Sequence, residues 1–100
     1  MPDLVPYTSA KGAVIGMTRS LGAALGEHDI RVNAILPGAV MTQRQMDLWY
    51  TPESKAAVVQ RQAIHRDLLE EDIADAALFL SADDSRMITK QCLVGDGGLR

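Results

Sequence analysis

Two short β-branched runs separated by a long helical crossover constrain this chain more than any other feature. Residues 30–36 (IRVNAIL) lie between Asp29 and Pro37-Gly38, and residues 91–94 end at Gly95-Asp96-Gly97-Gly98; both read as strands. The stretch between them is helical in pattern, with expected helices over 43–50, 52–64 and from Glu70 to about Ala82. A crossover of this kind makes the two strands parallel and the connection right-handed. Two parallel strands leave an unpaired edge and a bare face, so they do not make a stable sheet alone. The expectation is an α/β fold in the order helix, strand, helices, strand. The 100 residues would form one partial domain of a larger doubly wound parallel sheet, incomplete as an isolated chain.

Ahead of the first strand, Pro2 and Pro6 disfavour helix before Tyr7, and Thr8 or Ser9 offers an N-cap for a helix running to about Glu27. Its expected inward seam is Tyr7, Ala10, Val14, Met17, Leu21 and Ala24, in steps of three and four. Gly12 and Gly16 lie on an adjoining small face and imply a second close neighbour, since glycine is unfavourable inside a helix. Downstream, Thr51 is placed to cap a helix with Pro52 at its first position. The acidic run Glu70-Glu71-Asp72 suits a helix N-terminus, with Ile73, Ala76, Ala77 and Leu80 facing inward.

Composition excludes several classes. Thirteen acidic against ten basic side chains, with no basic cluster beyond Arg61 and Arg66, leave no surface for nucleic acid. No apolar run approaches the ~20 residues that cross a bilayer, and the N-terminus lacks the pattern of a secretory signal. Cys92 is the only cysteine, and His28 and His65 have no ligand-spaced partners, so neither a disulfide nor a metal site is expected. His28 reads as a helix-end residue, His65 as a surface one, and Cys92 as a small buried hydrophobe. Together these point to a cytoplasmic protein.

The sharpest chemical signal is Tyr7-Thr8-Ser9-Ala10-Lys11. A spacing of four puts phenol and ammonium on one helix face. A free phenol titrates at ~10, too high for easy proton exchange at neutral pH. A nearby ammonium and a helix N-terminus both favour the phenolate. The pair therefore suits a general acid/base acting on an alcohol or carbonyl. The same spacing also fits a solvent-facing tyrosine stacked on a lysine stem. Pro37-Gly38 stands at the carboxyl end of the first strand, the edge where α/β sheets bind ligands, with the Thr42 hydroxyl shortly after. It fits a plain strand-ending turn as well.

Tyr7-Thr-Ser-Ala-Lys11-Gly-Ala-Val-Ile-Gly-Met-Thr-Arg-Ser-Leu, the run from Ile30 to Pro37-Gly38, and Asp96-Gly97-Gly98 resemble the C-terminal portion of a short-chain dehydrogenase/reductase, a Rossmann-like fold. The stretches 40–49 and 79–87 are similar to the branch that oxidises sugars such as aldoses. The resemblance implies that Tyr7 transfers the proton and that Lys11 lowers its pKa and hydrogen-bonds the nicotinamide ribose. It implies that Pro37, Gly38 and Val40 line the nicotinamide pocket, and that Thr42 contacts the nicotinamide amide or the pyrophosphate. Residues 43–65 correspond to the segment over the substrate, where Trp49 packs on a sugar face or, with Tyr50, packs the lid itself. Asp96-Gly97-Gly98 would be a structural turn or a subunit contact.

The implied cofactor is NAD or NADP, with NAD favoured, although the residue that selects between them follows a strand outside this sequence. The implied partners are a small alcohol or carbonyl substrate and a second copy of the chain, through the 8–27 helix and the exposed strand edge. Departures from the family pattern are equally specific. No glycine-rich turn opening a helix is present to hold the pyrophosphate. No serine precedes Tyr7, the helical asparagine of the family's proton relay is missing, and Lys90 stands where relatives often have glycine. The 100 residues alone are therefore expected to bind dinucleotide weakly or not at all. Two other readings stay open: a catalytically silent truncated α/β protein stabilised by self-association or a partner, and a small regulatory module.

Overall fold

The computed structural model describes residues 4–48 and 50–99. The elements are α1 (Val5–Leu25), β1 (Ala34–Pro37), α2 (Gln43–Leu48), α3 (Pro52–Arg61), α4 (Glu70–Ser81) and β2 (Cys92–Gly95). Short 3-10 turns occupy Gly26–His28 and Asp83–Ser85. The fold is α/β with a small parallel two-stranded sheet, as the crossover length requires. Donor and acceptor numbers rise together along it: Ala34 N–H donates to Gln91 C=O at 2.9 Å and Gly38 N–H to Gly95 C=O at 3.3 Å. The chain divides into two compact units, one of 4–34 with Ala82–Leu93 and the other of Ile35–Ser81 with 94–99.

In the first unit, α1 starts before the expected Thr8 or Ser9. Pro6 falls in the first turn, where a missing N–H leaves nothing unpaired, and the capping residue is Leu4, without a side-chain bond. The expected seam is also corrected. Tyr7, Val14, Met17 and Leu21 are exposed, and the covered face is Lys11, Ile15, Thr18, Gly22 and Leu25. Both stripes obey the helical period, so periodicity alone could not choose between them. Thr18 tolerates burial because its hydroxyl donates to the Val14 carbonyl at 2.7 Å. Gly12 and Gly16 have open space where a Cβ would stand. The close approach implied for them occurs instead at Gly22, against Lys90.

The strand expected over 30–36 forms a regular ladder only from Ala34. Residues 31–33 are held to the loop before β2 by side-chain bonds and by one backbone bond, from Lys90 N–H to the Val32 carbonyl at 2.8 Å. Arg31 donates to Ser85 Oγ at 3.1 Å and to the Ile88 carbonyl at 3.2 Å, and Val32 N–H donates to Thr89 Oγ1 at 3.1 Å. Asn33 donates to the Ile88 carbonyl and accepts from Gln91 N–H. Lys90, with φ of 65°, interrupts the extended backbone before β2. Upstream, Asp29 takes the left-handed conformation that stops the turn ending at His28, whose imidazole lies 3.3 Å from Glu27. Cys92 is half-buried at the head of β2.

The second unit holds the buried apolar side chains among the described residues: Met41, Val58 and Leu68. Met41 N–H donates to the Leu68 carbonyl at 2.8 Å, beside an isolated parallel bridge between Val40 and Leu68. α2 stops at Leu48, short of the expected Tyr50, whose N–H reaches the Gln45 carbonyl in a wider turn. α3 begins as its sequence dictates. Thr51 accepts from Ser54 N–H at 3.1 Å and Ser54 Oγ accepts from Thr51 N–H at 2.8 Å, a reciprocal capping box.

α3 stops at Arg61 rather than Ile64 because Ala63 and Ile64 donate to the Gly98 and Gly97 carbonyls at 3.2 and 2.9 Å. α4 opens with Asp72 accepting from Leu69 N–H at 2.8 Å. Along it Ile73, Ala76 and Leu80 are half-buried as expected, whereas Ala77 is exposed. No helix among the described residues is long and apolar enough to cross a membrane.

The capping box gives a direct test. Thr51→Ala removes both an acceptor and its reciprocal geometry and should lower the unfolding free energy by about 1 kcal/mol, read from urea denaturation, while Thr51→Ser should leave it nearly unchanged.

Candidate active site

Tyr7 and Lys11 are set by the first two turns of α1. The spacing brings Lys11 Nζ to 5.6 Å from the centre of the Tyr7 ring, within cation–π range. Tyr7 is 61% exposed and Lys11 half-buried, so the phenol is open to an incoming molecule while the lysine stem is partly covered by its own unit. Thr8 and Ser9 line a neighbouring groove with Leu4 and Val5. The juxtaposition foreseen from the sequence is therefore present, and it serves equally a stacked surface pair and a proton-transfer pair. Function must come from what surrounds it.

The segment after β1 belongs to the second unit. Gly38 has the tight surroundings that its residue type suggests, but the neighbour is protein. A Cβ at 38 would stand 2.6 Å from Asp96 Cβ and 3.0 Å from Asp96 Cα. Gly38 thus lets the exit of β1 close on the turn after β2. From there the backbone pairs locally, Val40 N–H to the Gly38 carbonyl at 3.1 Å and Thr42 N–H to the Val40 carbonyl at 2.9 Å. Thr42 caps α2, its hydroxyl oxygen accepting from Gln45 N–H at 3.1 Å. This fixes the Thr42 side chain and leaves its O–H as the donor it can offer. Pro37, the last residue of β1, is exposed. Trp49 lies outside the described residues.

Asp96-Gly97-Gly98 is a turn with a use for each residue. Asp96 is 3% exposed and accepts from Gly98 and Leu99 N–H at 2.9 and 3.2 Å. Gly97 and Gly98 have φ of 68° and 81°, and a Cβ on Gly98 would meet Ala63 Cβ at 2.6 Å. Gln62 braces the same region, donating from Nε2 to the Ile64 and Arg66 carbonyls at 3.0 and 2.9 Å. It also lines a cavity of about 220 Å³ with Ile64, Asp72, Ile73, Gly95 and Gly97. Sequence reasoning missed Gln62 entirely. A buried glutamine shows itself only through the carbonyls it bridges, and those carbonyls carry no sequence signal. No cluster of three or more metal-ligating side chains occurs among the described residues.

Comparison with known proteins adds what geometry leaves open. A family model described as "Enoyl-(Acyl carrier protein) reductase" matches residues 1–100. The "Probable galactose dehydrogenase GalD" of Rhizobium meliloti is 46% identical over 99 residues, covering 99% of this chain and 39% of that protein. The D-xylose 1-dehydrogenase of Caulobacter vibrioides is 42% identical over 100 residues, covering 100% of this chain and 40% of its own. The crystal structure of a 3-oxoacyl-[acyl-carrier protein] reductase with bound NAD from Brucella melitensis superposes with a TM-score of 0.81 at 36% identity, covering 93% of this chain and 32% of that one. The chain thus spans about two fifths of the length of the curated relatives it matches.

The Gly38–Asp96 approach predicts a specific intolerance. Gly38→Ala should destabilise the second unit by about 1–3 kcal/mol, because backbone and not a flexible side-chain tip stands in the way. Thermal unfolding followed by circular dichroism measures it.

Proposed function

The chain belongs to the short-chain dehydrogenase/reductase family, and from that premise we propose that it carries the proton-transfer pair of a nicotinamide-dependent dehydrogenase acting on a sugar or a related small alcohol or carbonyl. The family match over residues 1–100 carries the reading, and the Lys11 ammonium lying 5.6 Å from the ring of an exposed Tyr7 at the start of α1 supports it. Relatives named as galactose, xylose and glucose dehydrogenases support the substrate class. Neighbours with bound NAD or NADH support the cofactor class. NAD is the reading favoured over NADP.

The nicotinamide, when bound, supplies the hydride acceptor for the oxidation. The chain's own residues handle the proton. Tyr7 takes the hydroxyl proton of the alcohol at its phenol oxygen as the carbonyl forms, and returns a proton in the reverse direction. Lys11 places positive charge beside the ring. In this reading Lys11 also reaches the nicotinamide ribose, Pro37, Gly38 and Val40 form a shelf for the nicotinamide, and the Thr42 O–H addresses its amide or the pyrophosphate. The residues suit these roles, with an exposed phenol, a cation beside it, and a threonine hydroxyl fixed by its capping bond. In this reading residues 43–65 act as the substrate-side lid of a cytoplasmic enzyme, with Trp49 either against the sugar or packing the lid itself.

A second reading is favoured by one observation. Val14, Met17 and Leu21 present an apolar stripe to solvent along α1. This supports self-association through α1, either as part of the working enzyme or as the sole role of a catalytically silent chain.

Reduced nicotinamide formed from galactose or xylose, followed by absorbance, tests the first reading. Tyr7→Phe should lower kcat by about 10²–10⁴-fold and Lys11→Ala by at least tenfold. A Tyr7→Phe protein within twofold of the parent would end the assignment. Sedimentation separates the roles of the stripe: a monomer would remove the self-association reading.

A further inference from the structure

We infer that Gly22 and Lys90 are positioning residues for the Tyr7–Lys11 pair: their contact sets the direction of α1. The inference rests on the proposed function for its catalytic consequence, but its structural part stands within the first unit alone. Gly22 is buried, and a Cβ there would lie 2.6 Å from Lys90 Cγ and 3.3 Å from both Lys90 Cα and N. The helix backbone therefore rests directly on Lys90. Lys90 in turn is held in place. Its N–H donates to the Val32 carbonyl at 2.8 Å, and Thr89 and Gln91 on either side are bonded to Val32 and Asn33. Its φ of 65° belongs to the left-handed region, which presents the lysine stem to Gly22.

Leverage makes this contact matter. The C-terminal end of α1 is tied by Ile30 N–H donating to the Leu25 carbonyl at 3.2 Å, and the Gly26 N–H closes the last turn on the Gly22 carbonyl. Gly22 stands about 5 Å along the axis from Leu25, whereas Tyr7 stands about 27 Å away and Lys11 about 21 Å, at 1.5 Å per residue. A displacement at Gly22 about that tie is multiplied roughly sixfold at the phenol. Relief of the 3.3 Å backbone contacts by a few tenths of an ångström already moves Tyr7 by about 1 Å. A misplacement of that size is enough to cost on the order of a hundredfold in a reaction that needs aligned atoms.

The test is a double-mutant cycle of Gly22→Ala and Lys90→Gly with two readouts. The first is the orientation of α1 relative to segments 31–34 and 88–91, from residual dipolar couplings of the ¹⁵N-labelled chain. The second is kcat and KM for the sugar in the protein carrying this chain. Gly22→Ala should rotate α1 and lower kcat by about 10–100-fold with KM changed less than threefold. The same substitution in the Lys90→Gly background should restore most of the orientation and at least tenfold of the rate, since glycine removes the stem and lets residue 90 yield. If Gly22→Ala alone fails to fold and the double variant folds with the parental orientation, the clash is established by that rescue. Unchanged couplings in Gly22→Ala, an equal rate loss in both backgrounds, or a double variant that also fails to fold would overturn the inference. A parent protein inactive on sugars and on small alcohols and carbonyls, with couplings that still shift and recover, would overturn the dehydrogenase reading and leave the positioning contact standing.

Discussion

A parallel ladder of two four-residue strands offers too few backbone hydrogen bonds to hold a chain of this length, and the arrangement of the rest follows from that shortage. Side chains take over where the ladder stops. Arg31 and Asn33 reach the carbonyl of Ile88, Ser85 is buried between the Arg31 guanidinium and the Ala82 carbonyl, and Asp96 gathers the amides of Gly98 and Leu99. The Gln62 amide nitrogen does the same for the loop after α3. Polar groups paired in this way fix unique geometry where a thin apolar core of Met41, Val58 and Leu68 could not. Each unit is thereby specified by directional bonds more than by bulk.

Positioning of chemistry follows the same economy. One helical turn sets the ammonium beside the phenol, and nothing beyond the i to i+4 spacing is needed to bring the two together. Thr42 is oriented by the bond that caps α2, so a residue that starts a helix presents its hydroxyl in a fixed direction. Gly38 is glycine because Asp96 leaves no room for a side chain, and the same closure shapes the end of β1. In each case one residue meets the local structural requirement.

Much of this was legible in the sequence, and the exceptions have causes. The strand-ending Pro37-Gly38, the Thr51-Pro52 start of α3 and the acidic opening of α4 were readable because each rests on backbone chemistry within a few residues. The Tyr7–Lys11 pairing was readable for the same reason. What failed was anything decided at long range. Two stripes of α1 satisfy the helical period, and the residue that meets the covered one at Gly22 is Lys90, sixty-eight positions away. The first half of the expected strand has the right β-branched composition, yet Val32 N–H finds a threonine hydroxyl and the Asn33 side chain itself takes the Ile88 carbonyl. The left-handed lysine at 90 is the least foreseeable, since its residue type argues against its conformation. The roles proposed for Pro37, Val40, Thr42 and Trp49 rest on kinship alone.

The turn after β2 has a consequence for how this sequence can drift. Gly97 and Gly98 take backbone angles that side chains resist, Gly98 and Gly38 each face an atom where a methyl would sit, and Asp96 spends one oxygen on two amides. Four positions are thus locked by geometry, Gly38 through its approach to Asp96 and the other three within the turn itself. A randomised library across them, selected only for folding, should return the parental residues almost unaltered, while the outward stripe of α1 diversifies freely.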